Sequence, residues 1–300
     1  MDRLRKIGKL FNFTYYVDIE NSFLRSETQL LLTTFDDARL YQINPLDANP
    51  VAELIAQPAG ATALTGIVKV GNDKFAFTGG VRGNLMYTNE TIYTVDFTQL
   101  NSTGFPKLEV AATLPDAVFL NGMAALPANP ATILVPDSNL GVIWRVNTLT
   151  GAVGKAITDS YFGIPANATT KIGINGLKVR GDYAYFTNTA QAVFGRVPIT
   201  SAGNRAGPVE ILLANTGAAW DDFNIDVNGD AYLMQSPGAV LKVTPEGQTS
   251  YAAGTVNSTV LYGPTSLTFP GGGKAYVTTR GGSVAGSTVE YSGQVFEIEL

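Results

Sequence analysis

Six residues occupy matching places along this chain, and most of them have a side chain that could bind a metal ion or a polar group. They are Glu20, Thr65, Asn121, Asn175, Asp221 and Gly263. The two carboxylates and two amides among them supply the oxygen ligands that Ca²⁺ and similar hard divalent cations prefer. The carboxylates of Glu20 and Asp221 would balance the charge of such an ion. Without it, the two acids would repel each other and one would retain its proton.

The composition limits the chemistry further, because the chain has no histidine and no cysteine. This excludes disulfides, thiolate nucleophiles, Ser-His-Asp triads and zinc sites of the usual His/Cys type. Any bound metal must therefore be held by oxygen. Any proton transfer must use Asp, Glu, Lys, Tyr or water.

The chain is acidic, with a formal charge of −5 and a pI near 4.8. A nucleic acid or an anionic membrane surface would favour a basic protein face, so neither is an expected partner. No apolar run approaches the ~20 residues of a membrane-spanning helix. We expect a monomer whose partner is a small molecule.

Two features bear on localisation. The first six residues are basic but lack the long apolar core of a signal peptide, so any leader is expected to have been removed. Asn-x-Ser/Thr sequons are compatible with a secretory or vesicular location. There are five of them, at Asn12, Asn89, Asn101, Asn167 and Asn257.

A strand motif recurs six times and sets the positions of the oxygen donors. Its apolar pivots, spaced by 46 to 55 residues, are Ile43, Val95, Val146, Val197, Val243 and Ile298. A second strand motif recurs at 74–78, 132–135, 182–187, 230–233 and 274–278. A period near 50 with several short strands is typical of propeller blades. We predict an all-β, six-bladed β-propeller of four-stranded antiparallel blades, forming a single domain over residues 1–300.

The innermost strands of a propeller converge on its central channel, so the six positions are expected to form a ring. The stretch 220–233 shows one such strand and its partner, and Asn228-Gly229 between them predicts a type I′ turn with φ > 0 at both residues. The chain ends on the third strand of its last blade. The segment Leu10–Tyr16 is therefore predicted to supply the fourth strand and to close the ring, which covers an exposed edge.

Each ring residue also has a purely structural interpretation. Asn121-Gly122 and Asn175-Gly176 are common turn dipeptides, and Asp221-Asp222 is compatible with a solvated loop. The occurrence of oxygen donors at matching places in four repeats favours the functional interpretation.

Four short motifs carry a resemblance to a known family. Glu20-Asn21, Asn121-Gly122-Met123, Asn175-Gly176-Leu177 and Asp221-Asp222-Phe223, in this order on six blades, resemble the senescence-marker/gluconolactonase/luciferin-regenerating family. The resemblance runs from about Leu10 to Leu300 and is strongest to the fungal branch, which includes hetero-Diels-Alderases of tropolone-sesquiterpenoid biosynthesis. It implies that Glu20, Asn175 and Asp221 bind a divalent cation and that Asn121 faces the substrate. No organic cofactor is expected.

The chain departs from the sugar-lactone hydrolases of this family at two places. Those enzymes have an arginine two residues before the first asparagine and an acid after it, where this chain has Phe119 and Gly122. An apolar wall rejects a polyol substrate. Phe119, Tyr161, Phe162 and Trp220 are predicted to line an apolar pocket instead, with Leu120 beside them, whereas packing within a blade is the expected role of Trp144.

Three functions remain open. The first is an enzyme of fungal secondary metabolism that catalyses hetero-Diels–Alder cycloaddition between a tropolone quinone methide and a terpene alkene, as the resemblance implies. The second is a metal-dependent lactonase or esterase, in which Glu20 or Asp221 assists proton transfer. The third is a non-catalytic binding propeller. Glu20, Asn121 and Asp221 are the expected catalytic residues, and the first function is preferred.

Overall fold

The computed structural model describes residues 7–84, 86–214, 219–283 and 290–300. The basic stretch 1–6 lies outside the described residues. The described residues form six four-stranded antiparallel sheets, a two-stranded ribbon and one turn of 3-10 helix at Ser160–Phe162. In this part of the chain no helix is long and apolar enough to cross a bilayer.

The first strand, β1 (Ile7–Asn12), belongs to the last blade, and the next five blades follow in chain order. Blade 1 contains β2 (Ile19–Ser26), β3 (Gln29–Thr34), β4 (Leu40–Ile43) and β5 (Glu53–Ala56). Blade 2 contains β6 (Ala63–Gly71), β7 (Lys74–Val81), β8 (Thr88–Leu100) and β9 (Pro106–Thr113). Blade 3 contains β10 (Ala124–Leu126), β11 (Asn129–Asp137), β12 (Val142–Asn147) and β13 (Val153–Thr158).

The remaining blades repeat this order. Blade 4 contains β14 (Ile174–Arg180), β15 (Tyr183–Asn188), β16 (Val193–Pro198) and β17 (Glu210–Ala214). Blade 5 contains β18 (Ala219–Ile225), β19 (Ala231–Ser236), β20 (Ala239–Val243) and β21 (Thr249–Gly254). Blade 6 contains β22 (Pro264–Gly271), β23 (Lys274–Thr279) and β26 (Gln294–Glu299), with β24 (Gly282–Ser283) and β25 (Glu290–Tyr291) as a ribbon beside it. The prediction of a six-bladed propeller is confirmed.

The N-terminal strand closes the ring, as predicted, although its bounds differ from the expected segment. Strand β1 pairs antiparallel with β26, from Ile7 opposite Ile298 to Asn12 opposite Gln294. It therefore begins before Leu10 and ends at Asn12. The closure gives the backbone groups of the last blade their hydrogen-bond partners.

The apolar core is divided among the interfaces between neighbouring blades. One buried cluster joins blades 3 and 4 through residues such as Leu134 and Phe186, and another joins blades 5 and 6 through residues such as Met234 and Phe296. Each blade is thus apolar on both faces, which explains why its middle strands are almost continuously apolar in sequence.

The predicted type I′ turn at Asn228-Gly229 is wrong, although the hairpin between β18 and β19 exists. Gly229 has φ of 96°, but Asn228 does not have a positive φ. The loop is wider, because the Asp226 amide donates to the Asp230 carbonyl at 2.9 Å. The Asp226 carboxylate also accepts from the Asn228 and Asp230 amides at 2.8 and 3.0 Å, which stabilises this longer loop.

Candidate active site

The ring positions lie at one end of the central channel. Successive strands of a blade are antiparallel, so all six inner strands run in the same direction along the channel. Glu20, Thr65, Asn175 and Asp221 lie near the amino ends of four inner strands, and Asn121 and Gly263 precede the other two. Asn121 is held next to β11 by a bridge from Leu120 to Asp137.

The glycines that follow ring residues allow neighbouring inner strands to approach closely. The Gly66 amide donates to the Asn121 carbonyl at 3.0 Å, and the Gly122 amide donates to the Asn175 carbonyl at 3.2 Å. A Cβ atom on Gly66 would lie 2.4 Å from the Asn121 oxygen. Neither Gly122 nor Gly176 has a positive φ. The two Asn-Gly pairs are therefore contact points between inner strands rather than turn dipeptides.

The side chains of Asn175 and Asp221 are in direct contact. The Asn175 Nδ2 donates to Asp221 Oδ1 at 3.1 Å and to Thr189 Oγ1 at 3.0 Å. Asn175 Oδ1 is buried and has no hydrogen-bond partner among the described residues. A buried carbonyl oxygen without a partner costs free energy unless a ligand occupies it. This oxygen is suited to a cation.

Glu20 and Asp221 form an electrostatically coupled pair of acids. Burial raises the pKa of Asp221 to about 7, to which the charge of Asp222 adds while that of Arg280 opposes it. Burial, followed by the charge of Asp221, raises the pKa of Glu20 well above its usual range. Both side chains keep part of their surface accessible at the channel. The pair therefore holds a proton near neutral pH when no cation is bound.

A third acid, Asp18, lies beside this pair and was missed in the sequence. Burial raises its pKa to about 6, and the charges of Arg280 and Arg82 oppose that rise. The Tyr16 hydroxyl is 3.5 Å from its Oδ2 atom. Asp18 is two residues before Glu20 and directly precedes β2, so it is an acid close in sequence to a ring residue. That spacing was a usable signal.

The donor set suits a divalent cation only if an amide takes part. No group of three Asp or Glu side chains in the described part of the chain is close enough together to hold a metal ion. Glu20 and Asp221 would bind a cation together with the unpartnered Oδ1 of Asn175. These residues fit an oxygen-ligated ion of the Ca²⁺ type.

An aromatic cluster lies at the same end of the channel. Phe119 stacks on Tyr87 with ring centroids 4.4 Å apart, and Phe35 is 6.2 Å from Phe119. The Arg82 guanidinium covers the Phe35 ring at 4.0 Å. Burial raises the pKa of Tyr87, and the charge of Glu20 contributes to the rise, which places this hydroxyl within electrostatic range of Glu20.

Sequence reasoning identified Phe119 but missed Phe35 and Tyr87. The two missed residues follow β3 and precede β8, in loops of blades 1 and 2. Nothing in their local sequence shows that these loops converge with the one before β10. Phe119 itself is buried, with 2% of its surface exposed.

The other predicted pocket aromatics lie elsewhere in the described structure. Phe162 is completely buried and packs edge-on against Phe186 at 5.0 Å. Trp220 is also completely buried, in the cluster with Phe194 between blades 4 and 5. Tyr161 is partly exposed on the 3-10 turn. None of the three belongs to the cluster around Phe119, and their predicted contact with a substrate stays a prediction.

Strand geometry explains the position of Trp220. A β-bulge between Trp220 and Phe223 shifts the pairing of β18 with β19, so both rings pack into the cluster between blades 4 and 5. Trp144 has the packing role expected of it, since it is buried in the cluster between blades 2 and 3.

Two curated proteins are similar to this chain in sequence, and no family model matches it. A protein from Phoma sp named "Putative hetero-Diels-Alderase" is 27% identical over 277 residues, covering 84% of this chain and 79% of that protein. A protein of the same description from Sarocladium schorii is 28% identical over 193 residues, covering 55% of this chain and 48% of that protein.

Solved structures show the same fold. The luciferin-regenerating enzyme has a TM-score of 0.71 at 13% identity, covering 99% of this chain and 95% of that chain. The calcium-binding protein regucalcin from Agrobacterium tumefaciens has a TM-score of 0.67 at 16% identity, covering 97% and 92%. The chain resembles hetero-Diels-Alderases in sequence and regucalcin-like propellers in fold. The predicted resemblance is confirmed, and at these identities the structural likeness shows the fold alone.

Proposed function

We propose that this protein is an enzyme of secondary metabolism that catalyses hetero-Diels–Alder cycloaddition between a tropolone quinone methide and a terpene alkene. The observation that carries the proposal is the buried aromatic cluster of Phe35, Tyr87 and Phe119 beside the acid pair Glu20 and Asp221. The similarity to two proteins named "Putative hetero-Diels-Alderase" supports the class of reaction, whereas the two reaction partners rest on the family resemblance.

The reaction suits a chain without histidine or cysteine, because a cycloaddition needs no nucleophile. It needs a dry, shaped site that holds the two partners with their reacting atoms in a near-attack geometry. A flat conjugated ring such as a tropolone would pack against Phe35, the partly exposed ring of this cluster, behind which Tyr87 and Phe119 are stacked. The apolar terpene would occupy neighbouring apolar surface, where Phe119 replaces a group that would bind a sugar.

Charge develops on the carbonyl oxygen of the heterodiene as the new bonds form. Donors already directed at that oxygen lower the barrier, because they do not have to reorient during the reaction. The Tyr87 hydroxyl lies within electrostatic range of Glu20, and the Arg280 guanidinium lies within range of both Glu20 and Asp221. Together with the proton held by Glu20 or Asp221, they are the proposed donors. Asn121, whose Nδ2 donates to Ser138 Oγ at 3.2 Å, is the proposed substrate-facing amide of blade 3.

A divalent-metal-dependent lactonase is the second candidate, and the unpartnered Oδ1 of Asn175 favours it. Glu20, Asn175 and Asp221 would hold the ion. A bound divalent cation would supply Lewis-acid polarisation of a carbonyl oxygen. One structural neighbour is named as a calcium-binding protein. Phe119 argues against a sugar lactone and leaves hydrophobic lactones as the substrate class.

One experiment separates the two functions. The purified protein is incubated with a tropolone quinone methide, generated in situ, and a cyclic sesquiterpene alkene, with and without EDTA. A cycloaddition enzyme is expected to accelerate adduct formation over the buffer reaction, to give one stereoisomer in excess and to retain activity in EDTA. In parallel, a panel of apolar lactones is assayed for hydrolysis.

Two variants make the result specific to the site. Phe119→Leu removes the stacked ring and is expected to reduce the rate and the stereochemical excess. Phe105→Leu changes a half-exposed ring in the loop between β8 and β9 and is expected to react like the wild type. A wild-type adduct rate equal to that of buffer, with EDTA-sensitive lactone hydrolysis, would replace the proposal by the lactonase.

A further inference from the structure

A second cavity lies toward the other end of the channel. Its volume is about 530 Å³, and all six inner strands contribute to its lining. Its lining residues follow the ring residues along each strand. Leu24, for example, is four residues after Glu20, which at about 3.3 Å per residue places it roughly 13 Å further along the channel. The cavity therefore extends toward the other end of the channel from residues that directly follow the ring, such as Asn21 and Asp222.

A polar cluster lies between the two sites. Asp222 is buried, and its carboxylate accepts from Lys178 Nζ at 2.8 and 2.7 Å and from Asn21 Nδ2 at 2.9 Å. All three residues also line the cavity. The Lys178 side chain remains 24% exposed, so its ammonium is not enclosed by the ion pair. An ammonium has three N–H donors, and Asp222 occupies at most two of them.

The rest of the wall is largely apolar. Phe23, Val68, Ala125, Ile225 and Phe269, from five different blades, are only partly buried although they lie on inner strands. Partly buried apolar side chains around a concave space of this volume are the usual lining of a small-molecule site. A ligand of 10 to 25 non-hydrogen atoms is a reasonable order of magnitude for such a volume.

The charges on the wall favour an anion. Lys178 and Asp222 neutralise each other, whereas Arg180 adds a further positive charge and lines the same cavity. Arg180 donates to the backbone carbonyls of Asp226 and Val227, the latter at 2.8 Å, so it is fixed at the wall without a carboxylate partner among these contacts. A ligand carboxylate or sulfonate would bind to groups already held in place.

We propose that this cavity is a second binding site, for a compact apolar molecule with one anionic group. The anionic group binds to Lys178 and Arg180, and the apolar body contacts the side chains around Val68 and Phe269. The site is independent of the proposed cycloaddition, because it shares no ring residue with it.

The test uses 8-anilinonaphthalene-1-sulfonate as an apolar monoanion and N-phenyl-1-naphthylamine as its uncharged counterpart. Binding to the full chain is measured by fluorescence and by isothermal titration calorimetry. We expect one equivalent of the sulfonate to bind at least tenfold more tightly than the uncharged amine. Equal affinities would overturn the assignment of an anion.

Three variants locate the binding site. Ala125→Trp fills the cavity without removing a charge, and Lys178→Gln removes the ammonium; each is expected to weaken binding of the sulfonate at least tenfold. Leu149→Trp adds the same ring at an exposed position outside the cavity and is expected to bind like the wild type. Thermal unfolding and circular dichroism establish that each variant is folded. Unchanged sulfonate affinity in folded Ala125→Trp would overturn the proposal, whatever the outcome for Lys178→Gln.

Discussion

The amide of Asn175 donates a hydrogen bond to the carboxylate of Asp221 across the boundary between blades 4 and 5, with 3.1 Å between Nδ2 and Oδ1. Because the amide nitrogen is committed to Asp221 and Thr189, the amide oxygen is left facing away from both. That oxygen is buried and without a partner in the described structure. The orientation of one amide thus leaves an unpartnered oxygen at this end of the channel, as the proposed cation site requires.

The first prediction concerns Thr189, which holds this amide. Its Oγ1 accepts from Asn175 Nδ2 and donates to the Trp220 carbonyl at 2.6 Å. Thr189→Val removes one of the two acceptors that orient Asn175, so Ca²⁺ affinity is expected to fall about tenfold, as is typical when support of a ligand is lost. Isothermal titration calorimetry measures it. Thr189→Ser keeps the hydroxyl and should bind as the wild type does; a matching loss in both variants would contradict the explanation.

The second prediction separates stacking from hydrogen bonding at Tyr87. Tyr87→Phe keeps the ring that stacks on Phe119 at 4.4 Å and removes only the hydroxyl. If that hydroxyl is a donor to the developing charge, kcat for cycloaddition should fall on the order of tenfold or more, while KM and the melting temperature change little. An unchanged kcat in the folded variant would leave Tyr87 with a packing role alone.

The third prediction tests the close approach of the inner strands. In Gly66→Ala, the new Cβ atom would meet the Asn121 carbonyl oxygen at 2.4 Å and two further backbone atoms within 3 Å. Backbone cannot move aside cheaply, so the free energy of unfolding should fall by about 2–4 kcal/mol. Gly154→Ala is the matched control, because a Cβ atom there meets nothing within 4 Å. Equal denaturant midpoints for the two variants would show that the inner strands tolerate wider spacing.

The fourth prediction is a pH dependence that originates at Glu90. Burial raises the pKa of this carboxyl from 4.5 to about 8, although the Leu120 amide, which donates to Oε1 at 2.9 Å, opposes the rise. The native state therefore binds the proton more tightly than the unfolded state. The contribution of Glu90 to the free energy of unfolding should be greatest below about pH 4.5 and should fall as the pH rises toward 8.

Glu90→Gln removes that titration. We expect it to be close to the wild type near pH 5 and more stable at pH 9 by as much as about 5 kcal/mol, since the pKa is raised by about 3.5 and each pKa unit corresponds to about 1.4 kcal/mol. Melting temperatures of both proteins at pH 5, 7 and 9 measure the difference. Glu27→Gln, at an exposed turn, controls for loss of a surface charge. A constant difference across the three pH values would exclude Glu90 as the source.

The fifth prediction concerns Trp220, whose side chain is completely buried. Trp220→Ala should lower the free energy of unfolding by about 3–5 kcal/mol, because it leaves a large cavity between blades 4 and 5. Trp220→Phe should lower the free energy of unfolding by less, because its ring fills part of that cavity. Ligand affinity, measured below the melting temperature of each variant, checks the sequence-based prediction that this ring also contacts the substrate. Weaker binding in the folded phenylalanine variant would support that contact.

The sequence was sufficient for the blade count, because the pivots from Ile43 to Ile298 lie on the third strand of every blade. A strand motif repeats when each copy packs in the same environment, so its period reports the architecture directly. Closure by the N-terminal strand followed from counting strands. The turn at Asn228 was wrong because the side chain of Asp226, not the dipeptide alone, fixes the loop.

The candidate site was only partly predictable. The oxygen donors were predicted because they recur at matching places, but Phe35, Tyr87 and Asp18 belong to loops or strand ends that do not repeat. Residues that do not recur from blade to blade give no periodic signal in the sequence. Trp220 was expected at the channel because it is next to Asp221, but a bulge in β18 that the sequence does not reveal lets its ring pack beside Phe223 between blades 4 and 5.

The sequence by itself determined the six blades, the strand that closes them, and the absence of histidine and cysteine chemistry. Only the tertiary structure decided which aromatic side chains gather around Phe119, which amide oxygen is left unpartnered at Asn175, and that a second cavity lies beyond Lys178. The physical reason is that period and composition are properties of the chain itself. Contacts among loops of different blades exist only once the ring is closed and residues far apart in sequence share one channel.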